Sequence, residues 1–249
     1  MPHIPFDILV AAPLIVFAAY TIFGISGFGS ALISIPLLAH FLPLKTVVPM
    51  MVLLDFSAAF TTGMRFRGDV DRAEVKRVVP AMLLGAAVGV LLLAKVPGEA
   101  LITALGASVS GYGLYRLLSR GSPRRFPDAA AHPIGFSGGL VGAMFGVGGP
   151  LYVVYFASRI HDPARLRATL SIVFSISTGF RIALFVVSGL LLDWRLLAAA
   201  VALFPLMWLG TRFGQRLHLK LSRTLLARFV SVLLVASGAS LVARGLGWH

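Results

Sequence analysis

The chain of 249 residues is 58% hydrophobic and only 12% charged, and its mean hydropathy is +0.91. A soluble chain of this length cannot bury so much apolar surface, so the composition excludes a soluble globular protein and predicts an all-α, polytopic membrane protein. The formal net charge of +13 does not indicate nucleic-acid binding, because the basic residues lie in short loops between apolar segments, where positive charge sets membrane topology.

Eight apolar segments follow one another with short polar connections. In chain order they cover residues 8–42, 46–63, 78–95, 99–118, 134–158, 168–190, 196–212 and 224–243. Glycines interrupt the first segment near 24–30 and the fifth near 146–150. The stretch 119–133 is rich in glycine and proline, and it predicts a linker between an N-terminal repeat, 1–118, and a C-terminal repeat, 134–249.

Three motifs recur in the two halves in the same order. Pro80, Met82, Gly85 and Gly89 match Pro205, Met207, Gly210 and Gly214; Gly27-x-Gly29 matches Gly146-x-Gly148; Ser110-Gly111 matches Ser237-Gly238. Glycine is common in membrane helices, so a single match is weak evidence. Three matches in one order indicate an internal duplication.

Charge decides the orientation of this duplication. Most of the 22 lysines and arginines lie at 65–77, 116–125, 159–167 and 212–228. If 134–158 crossed the membrane once, the second and third clusters would face opposite sides, against the positive-inside rule. If it breaks at its glycines and returns, all four clusters face the cytoplasm. Each half then has one broken or re-entrant hairpin and three transmembrane helices, so we predict inverted repeats with both termini exoplasmic.

The two glycine breaks predict a ligand site. A helix that restarts after a break presents free N–H groups and a positive dipole end, and glycine lets a ligand approach the backbone. In inverted repeats the two hairpins enter from opposite faces, so two such ends would converge on an anion. The alternative is that the glycines only allow close helix packing. The predicted ligand residues are Gly27, Phe28, Gly29, Ser30, Gly148, Gly149 and Pro150.

Arg181 lies in the middle of the apolar segment 168–190. A charge at this depth is costly and usually faces a cavity or a partner, and a planar guanidinium suits an oxyanion. Ser177 and Thr178 precede it by one helical turn and share its face, so we add all three side chains to the substrate site. The alternatives are a structural ion pair and a side chain that reaches the membrane interface.

Asp55 is a lone carboxylate in the middle of 46–63. It could carry a coupling proton, pair with Arg181, or pack against a cavity. The coupling ion, a proton or sodium, is left open at this point.

Several kinds of chemistry have no residues to support them. The chain has no cysteine, and its histidines lie near helix ends or in loops without metal-ligand spacing. No nucleotide, dinucleotide, zinc or catalytic-triad motif occurs. We therefore expect no metal, no cofactor and no enzyme activity, and we expect transport to be driven by ion or substrate gradients.

The glycine motifs resemble those of a known family. Gly27-Phe-Gly29-Ser-Ala-Leu-Ile-Ser-Ile-Pro36-Leu-Leu and Gly146-Val-Gly148-Gly149-Pro-Leu-Tyr-Val-Val resemble the duplicated G-x-G-G-G-x-x-x-x-P-x-L signatures of the TauE/SafE (sulfite exporter) family. Ser30, Ala31 and Pro150 replace signature glycines, and Tyr155 stands where the second copy would have proline. The resemblance covers nearly the whole chain, and it implies transport of sulfite, sulfoacetate or another sulfonate.

The sequence thus predicts a secondary transporter that moves a small sulfur-containing anion across the cytoplasmic (inner) membrane by alternating access. The partners are the anion, the bilayer and a coupling proton or sodium ion, with no nucleic acid; a homo-oligomer is left open. An anion channel built from the same parts is the alternative. An intramembrane enzyme is the third class, but this chain lacks the nucleophile–base pair that such an enzyme needs.

Overall fold

A computed structural model describes residues 6–27, 29–65, 70–118, 126–217 and 223–247. Within these ranges the chain forms ten α-helices, one short 3-10 helix at Asp128–Ala130, and no strand. The predicted all-α class is therefore confirmed. The helices are α1 Phe6–Ser26, α2 Ser30–Leu38, α3 Leu44–Arg65, α4 Arg72–Lys95, α5 Gly98–Leu118, α6 Ala131–Phe145, α7 Gly149–Arg159, α8 Pro163–Val187, α9 Trp194–Leu217 and α10 Arg223–Gly245.

Five of the described helices, α1, α3, α4, α8 and α9, are long and apolar enough to cross a membrane. The chain is therefore a multi-pass membrane protein. In contrast, α2 has 9 residues and α7 has 11. At about 1.5 Å rise per residue these two helices fall well short of the roughly 30 Å hydrocarbon core. Each follows a glycine break, so each forms the short arm of a hairpin.

The two breaks lie at the predicted glycines, for a local reason. Helix α1 stops where Gly27 and Gly29 have φ of 80° and 95°, and α6 stops at Gly146, whose φ is 71°. Left-handed φ values of this kind end a helix, and only glycine adopts them without a steric penalty. Phe28, between the first two glycines, lies outside the described residues.

The helices group into two compact units, and neither unit is one half of the sequence. The first unit contains α1, α2, α5, α9 and α10; the second contains α4, α6, α7, α8 and α3 from Val48 onward. Each hairpin thus packs with helices that come from the other half of the chain. The repeat boundaries, 1–118 and 134–249, stay a prediction from the sequence.

In the first unit, α9 runs parallel to α1, and their backbones touch at glycines. A Cβ on Gly210 would lie 2.7 Å from the Phe17 carbonyl oxygen, and one on Gly214 would overlap the Thr21 carbonyl. Helices α5 and α10 pack against each other and are antiparallel, since Gly106 contacts Gly238 and Gly113 contacts Ser231. Small residues allow this close approach of membrane helices.

The second unit repeats the glycine contact between α4 and α6. A Cβ on Gly85 would overlap the Phe136 carbonyl, and a Cβ on Gly89 would lie 2.5 Å from the Leu140 carbonyl oxygen, so these helices also run parallel. The Pro-x-Met-x-x-Gly-x-x-x-Gly motif therefore does the same in both units. It packs one long helix along the first arm of a hairpin.

The hairpin of the second unit begins and ends on one side of that unit. Arg159, at the end of α7, donates from Nη1 to the Phe126 carbonyl at 2.7 Å and from Nη2 to Asp128, which both precede α6. The hairpin therefore returns to the end where it begins, and the return of 134–158 to the cytoplasmic side of the membrane stays a prediction. In the first unit, Ala11 near the start of α1 and His40 just after α2 line the same apolar cavity of about 550 Å³.

Candidate functional site

The second unit contains a buried arginine with unused donors. Arg181 on α8 is 4% exposed, and its Nε and Nη2 have no hydrogen-bond partner among the described residues. These two N–H groups form one edge of the guanidinium, the edge that binds two oxygens of an oxyanion at once. Leaving a buried donor unpaired costs about 1–3 kcal/mol, and more when the group is charged. The arrangement therefore suits an anionic ligand.

Tyr152 on α7 brings a third unused donor to the same place. The side chain is 2% exposed, and its hydroxyl has no hydrogen-bond partner among the described residues. It lies near Arg181 and near Ser177, although no hydrogen bond forms between the Tyr152 hydroxyl and Ser177. Tyr152 was not among the site residues predicted from the sequence. The sequence contains one indication of its role. Tyr152 follows a helix break in an apolar segment, and a buried tyrosine hydroxyl normally needs a hydrogen-bond partner.

Two neighbouring hydroxyls on α8 have different roles. Ser177 and Thr178 are both buried on the face that carries Arg181, as their spacing predicts. The Thr178 hydroxyl donates to the Phe174 carbonyl at 2.7 Å, so its proton is used within the helix. Ser177 lies beside Tyr152, and it is the hydroxyl that is better placed to meet a ligand.

Asp55 on α3 lies within electrostatic reach of Arg181. The same two helices also pack where a Cβ on Gly179 would lie 3.5 Å from the Phe56 ring. Of the interpretations that the sequence left open, the structure favours the pairing of Asp55 with Arg181. The pair formed by Asp55 and Arg181 has no net charge. The site therefore becomes negatively charged only when an anion binds.

The predicted glycines are distributed over both units. Gly148 packs on the backbone of α6, where a Cβ would lie 2.9 Å from Gly142 Cα, and its part in ligand binding stays a prediction. Gly149 and Pro150 begin α7, and a Cβ on Gly149 would only touch the Phe174 ring, at 3.5 Å. Gly27, Gly29 and Ser30 belong to the first unit. Their part in the site, like that of Phe28, stays a prediction.

A second polar cluster lies at the open end of the hairpin formed by α6 and α7. Glu74, only 5% exposed, accepts hydrogen bonds from Arg77 Nη1 at 2.8 Å, Arg159 Nε at 2.7 Å and the Tyr155 hydroxyl at 2.8 Å. Asp128 pairs with both arginines. We call these five residues the Glu74 clamp. The sequence predicted only a topological role for the two arginines, and this cluster was not among the predicted sites.

The part of the chain that the structure describes holds no group of three His, Asp or Glu side chains arranged to bind a metal ion. The polar groups around Arg181 are N–H and O–H donors with one nearby carboxylate, that of Asp55. Such a set can hold an oxyanion and exchange a proton with it or beside it.

Comparison with known proteins gives a consistent result. The family model described as "Sulfite exporter TauE/SafE" matches residues 12–241. The chain is 27% identical over 195 residues to "Probable inner membrane transporter protein TsaS" of Comamonas testosteroni, which covers 77% of this chain and 81% of the relative. It is 26% identical over 227 residues to "Probable sulfite/organosulfonate exporter TauE" of Cupriavidus necator, covering 88% and 87%. No solved structure matches significantly.

Proposed function

Because this chain belongs to the sulfite exporter TauE/SafE family, we propose that it is a secondary transporter of the cytoplasmic membrane whose cargo is sulfite, sulfoacetate or another sulfonate. The names of two relatives, an inner membrane transporter and a sulfite/organosulfonate exporter, support this class of cargo. The family is named for transport and not for catalysis, in line with a protein that is not an enzyme. Alternating access, driven by an ion or substrate gradient, is part of the proposal.

The observation that carries the proposal is the unpartnered guanidinium edge of Arg181. A sulfonate or sulfite group offers two oxygens at the spacing that such an edge binds. The N–H groups that begin α7 after Gly148 lie in the same unit and add positive dipole to it. The first break is followed by the start of α2 at Ser30, which presents free backbone N–H groups in the first unit in the same way.

We test the substrate class with the purified full-length protein. Sulfite and sulfoacetate should raise its thermal unfolding midpoint saturably, because a ligand that binds only the folded state stabilises it. Chloride at equal ionic strength should not. Sulfate, thiosulfate and taurine complete the panel. If no sulfur anion raises the midpoint and none enters proteoliposomes, the proposed substrate class is wrong; large single-channel currents instead of saturable counterflow would assign a channel.

The helix directions support inverted repeats. The last helices of the two halves, α5 and α10, are antiparallel, which inversion requires of matching helices. Helix α4 is parallel to α6, and α9 is parallel to α1, as expected if each pair enters the membrane from one side. On this topology the basic loops are cytoplasmic and both termini exoplasmic.

The absence of native cysteine makes this topology directly measurable. A cysteine at His161, between α7 and α8, should react with a membrane-impermeant maleimide only from the cytoplasmic side. A cysteine at Leu192, between α8 and α9, should react only from the outside. Labelling of both positions from one side would contradict a membrane-crossing α8, and the reverse pattern would contradict the orientation.

Asp55 is the proposed coupling group. An anion bound to Arg181 brings a second negative charge close to Asp55, and two neighbouring negative charges favour uptake of a proton by the carboxylate. We therefore expect Asp55→Asn to retain anion exchange but to lose stimulation by a pH gradient. Uptake measured in proteoliposomes with and without the gradient decides this. Retained stimulation would exclude Asp55 as the proton carrier, and a sodium requirement would identify the other coupling ion.

A further inference from the structure

We propose that the Tyr152 hydroxyl is the third donor of the anion site and that it selects anions whose central atom carries three oxygens over planar carboxylates. This inference rests on the proposed function. It concerns a residue that neither the motif nor the charge pattern indicates. The starting observation is that three buried donors of the second unit, Arg181 Nε, Arg181 Nη2 and the Tyr152 hydroxyl, are unpartnered among the described residues.

The phenol of Tyr152 is held in a fixed position. Its ring lies 6.2 Å from the Phe174 ring, centroid to centroid. On the other side it packs directly on Gly138 of α6, where a Cβ would lie 3.0 Å from the Tyr152 hydroxyl oxygen and closer still to the ring. A tyrosine confined in this way cannot turn its hydroxyl toward another partner. The cost of the missing hydrogen bond is therefore recovered only when a ligand accepts it.

The two side chains approach the site from different helices. Arg181 extends from α8 and Tyr152 from α7, the short arm of the hairpin. A guanidinium edge binds two oxygens in its own plane. A pyramidal sulfite or a tetrahedral sulfonate has a third oxygen outside that plane, and a donor from another helix can reach it. Both oxygens of a carboxylate lie in the guanidinium plane when it binds this edge, so a phenol that donates from outside the plane meets neither oxygen in good hydrogen-bond geometry.

This difference sets the size of the expected selectivity. A buried hydroxyl without a partner costs about 1–3 kcal/mol, which corresponds to a factor of roughly 5 to 150 in affinity at room temperature. Sites built to hydrogen-bond a ligand atom reject analogues that lack the atom for this reason. Methanesulfonate and acetate form the matched pair of probes, since each carries a single negative charge and a single methyl group.

The test compares the affinities of methanesulfonate and acetate, measured by competition against sulfite binding, for the full-length protein and its Tyr152→Phe variant. The variant keeps the ring and its packing and removes only the donor. We expect a loss of methanesulfonate affinity of about 10- to 100-fold, with acetate affinity unchanged, so that the preference of the native protein disappears. Gly138→Ala, which displaces the phenol without altering it, should have the same effect.

Tyr155→Phe is the matched control, because the Tyr155 hydroxyl donates to Glu74 and lies outside the site. It should leave the preference between the two anions unchanged. An equal loss for both anions in Tyr152→Phe, or no loss for either, would overturn the inference while leaving the proposed function intact. A native protein that binds no sulfur anion would overturn the proposed function itself.

Discussion

Arg181→Ala should reduce uptake of the transported sulfur anion by at least about 100-fold. The substitution removes two buried N–H donors that form the oxyanion-binding edge of the guanidinium. Hydrogen bonds to charged groups contribute about 1.5–3 kcal/mol each, and two of them correspond to roughly two to four orders of magnitude in affinity. Initial uptake rates in proteoliposomes, at substrate concentrations near the native half-saturation value, measure the loss.

Three variants separate binding from folding. Arg181→Lys keeps the charge but not the planar edge, so its uptake should fall between those of the native protein and the alanine variant. The double variant Asp55→Asn, Arg181→Gln removes both charges, so no carboxylate loses its counter-charge. It should also fail to transport. Arg212→Ala removes an exposed arginine that stacks on Trp208 at 4.3 Å, and it should transport normally. Native uptake by folded Arg181→Ala protein would remove Arg181 from the site.

Glu74→Ala should be the most destabilising single substitution among the polar residues discussed. Glu74 is the acceptor for Arg77, Arg159 and Tyr155, and the Arg159 side chain is only 7% exposed. Without Glu74 the two arginines keep only the exposed Asp128 as a counter-charge, and removal of one partner of a buried ion pair typically costs about 3–5 kcal/mol. We expect a marked fall in the thermal midpoint of detergent-solubilised protein, measured by loss of the monodisperse peak in size-exclusion chromatography.

Glu99, which is exposed near the start of α5, gives the matched control. Glu99→Ala should leave the midpoint within a degree or two of the native value, because exposed charges contribute about 0–1 kcal/mol. Glu74→Gln keeps one acceptor oxygen and should fall between the two. An unchanged midpoint for Glu74→Ala would show that the Glu74 clamp does not hold the hairpin end in place.

The site was predictable only in part. Arg181 stood out because a permanent charge in an apolar segment is costly, and the structure places it buried with two free donors. Tyr152 did not stand out, because a tyrosine is unremarkable in an apolar sequence until its hydroxyl is seen to lack a partner. Gly148 carries the signature spacing, but its contact with α6 is a packing contact, which spacing cannot distinguish from a ligand contact.

The sequence by itself determined the all-helical membrane class and the places where the helices break, because hydropathy and glycine φ preferences are local properties of the chain. It also located the basic loops and the lone buried arginine. Only the tertiary structure decided that Gly85 packs on α6 and Gly210 on α1. It also decided that Glu74 accepts hydrogen bonds from two arginines and a tyrosine. Apart from Arg77, which lies one helical turn from Glu74 on α4, these contacts join residues about 50 to 190 positions apart. They depend on how the surfaces of two particular helices fit together, which no local pattern encodes.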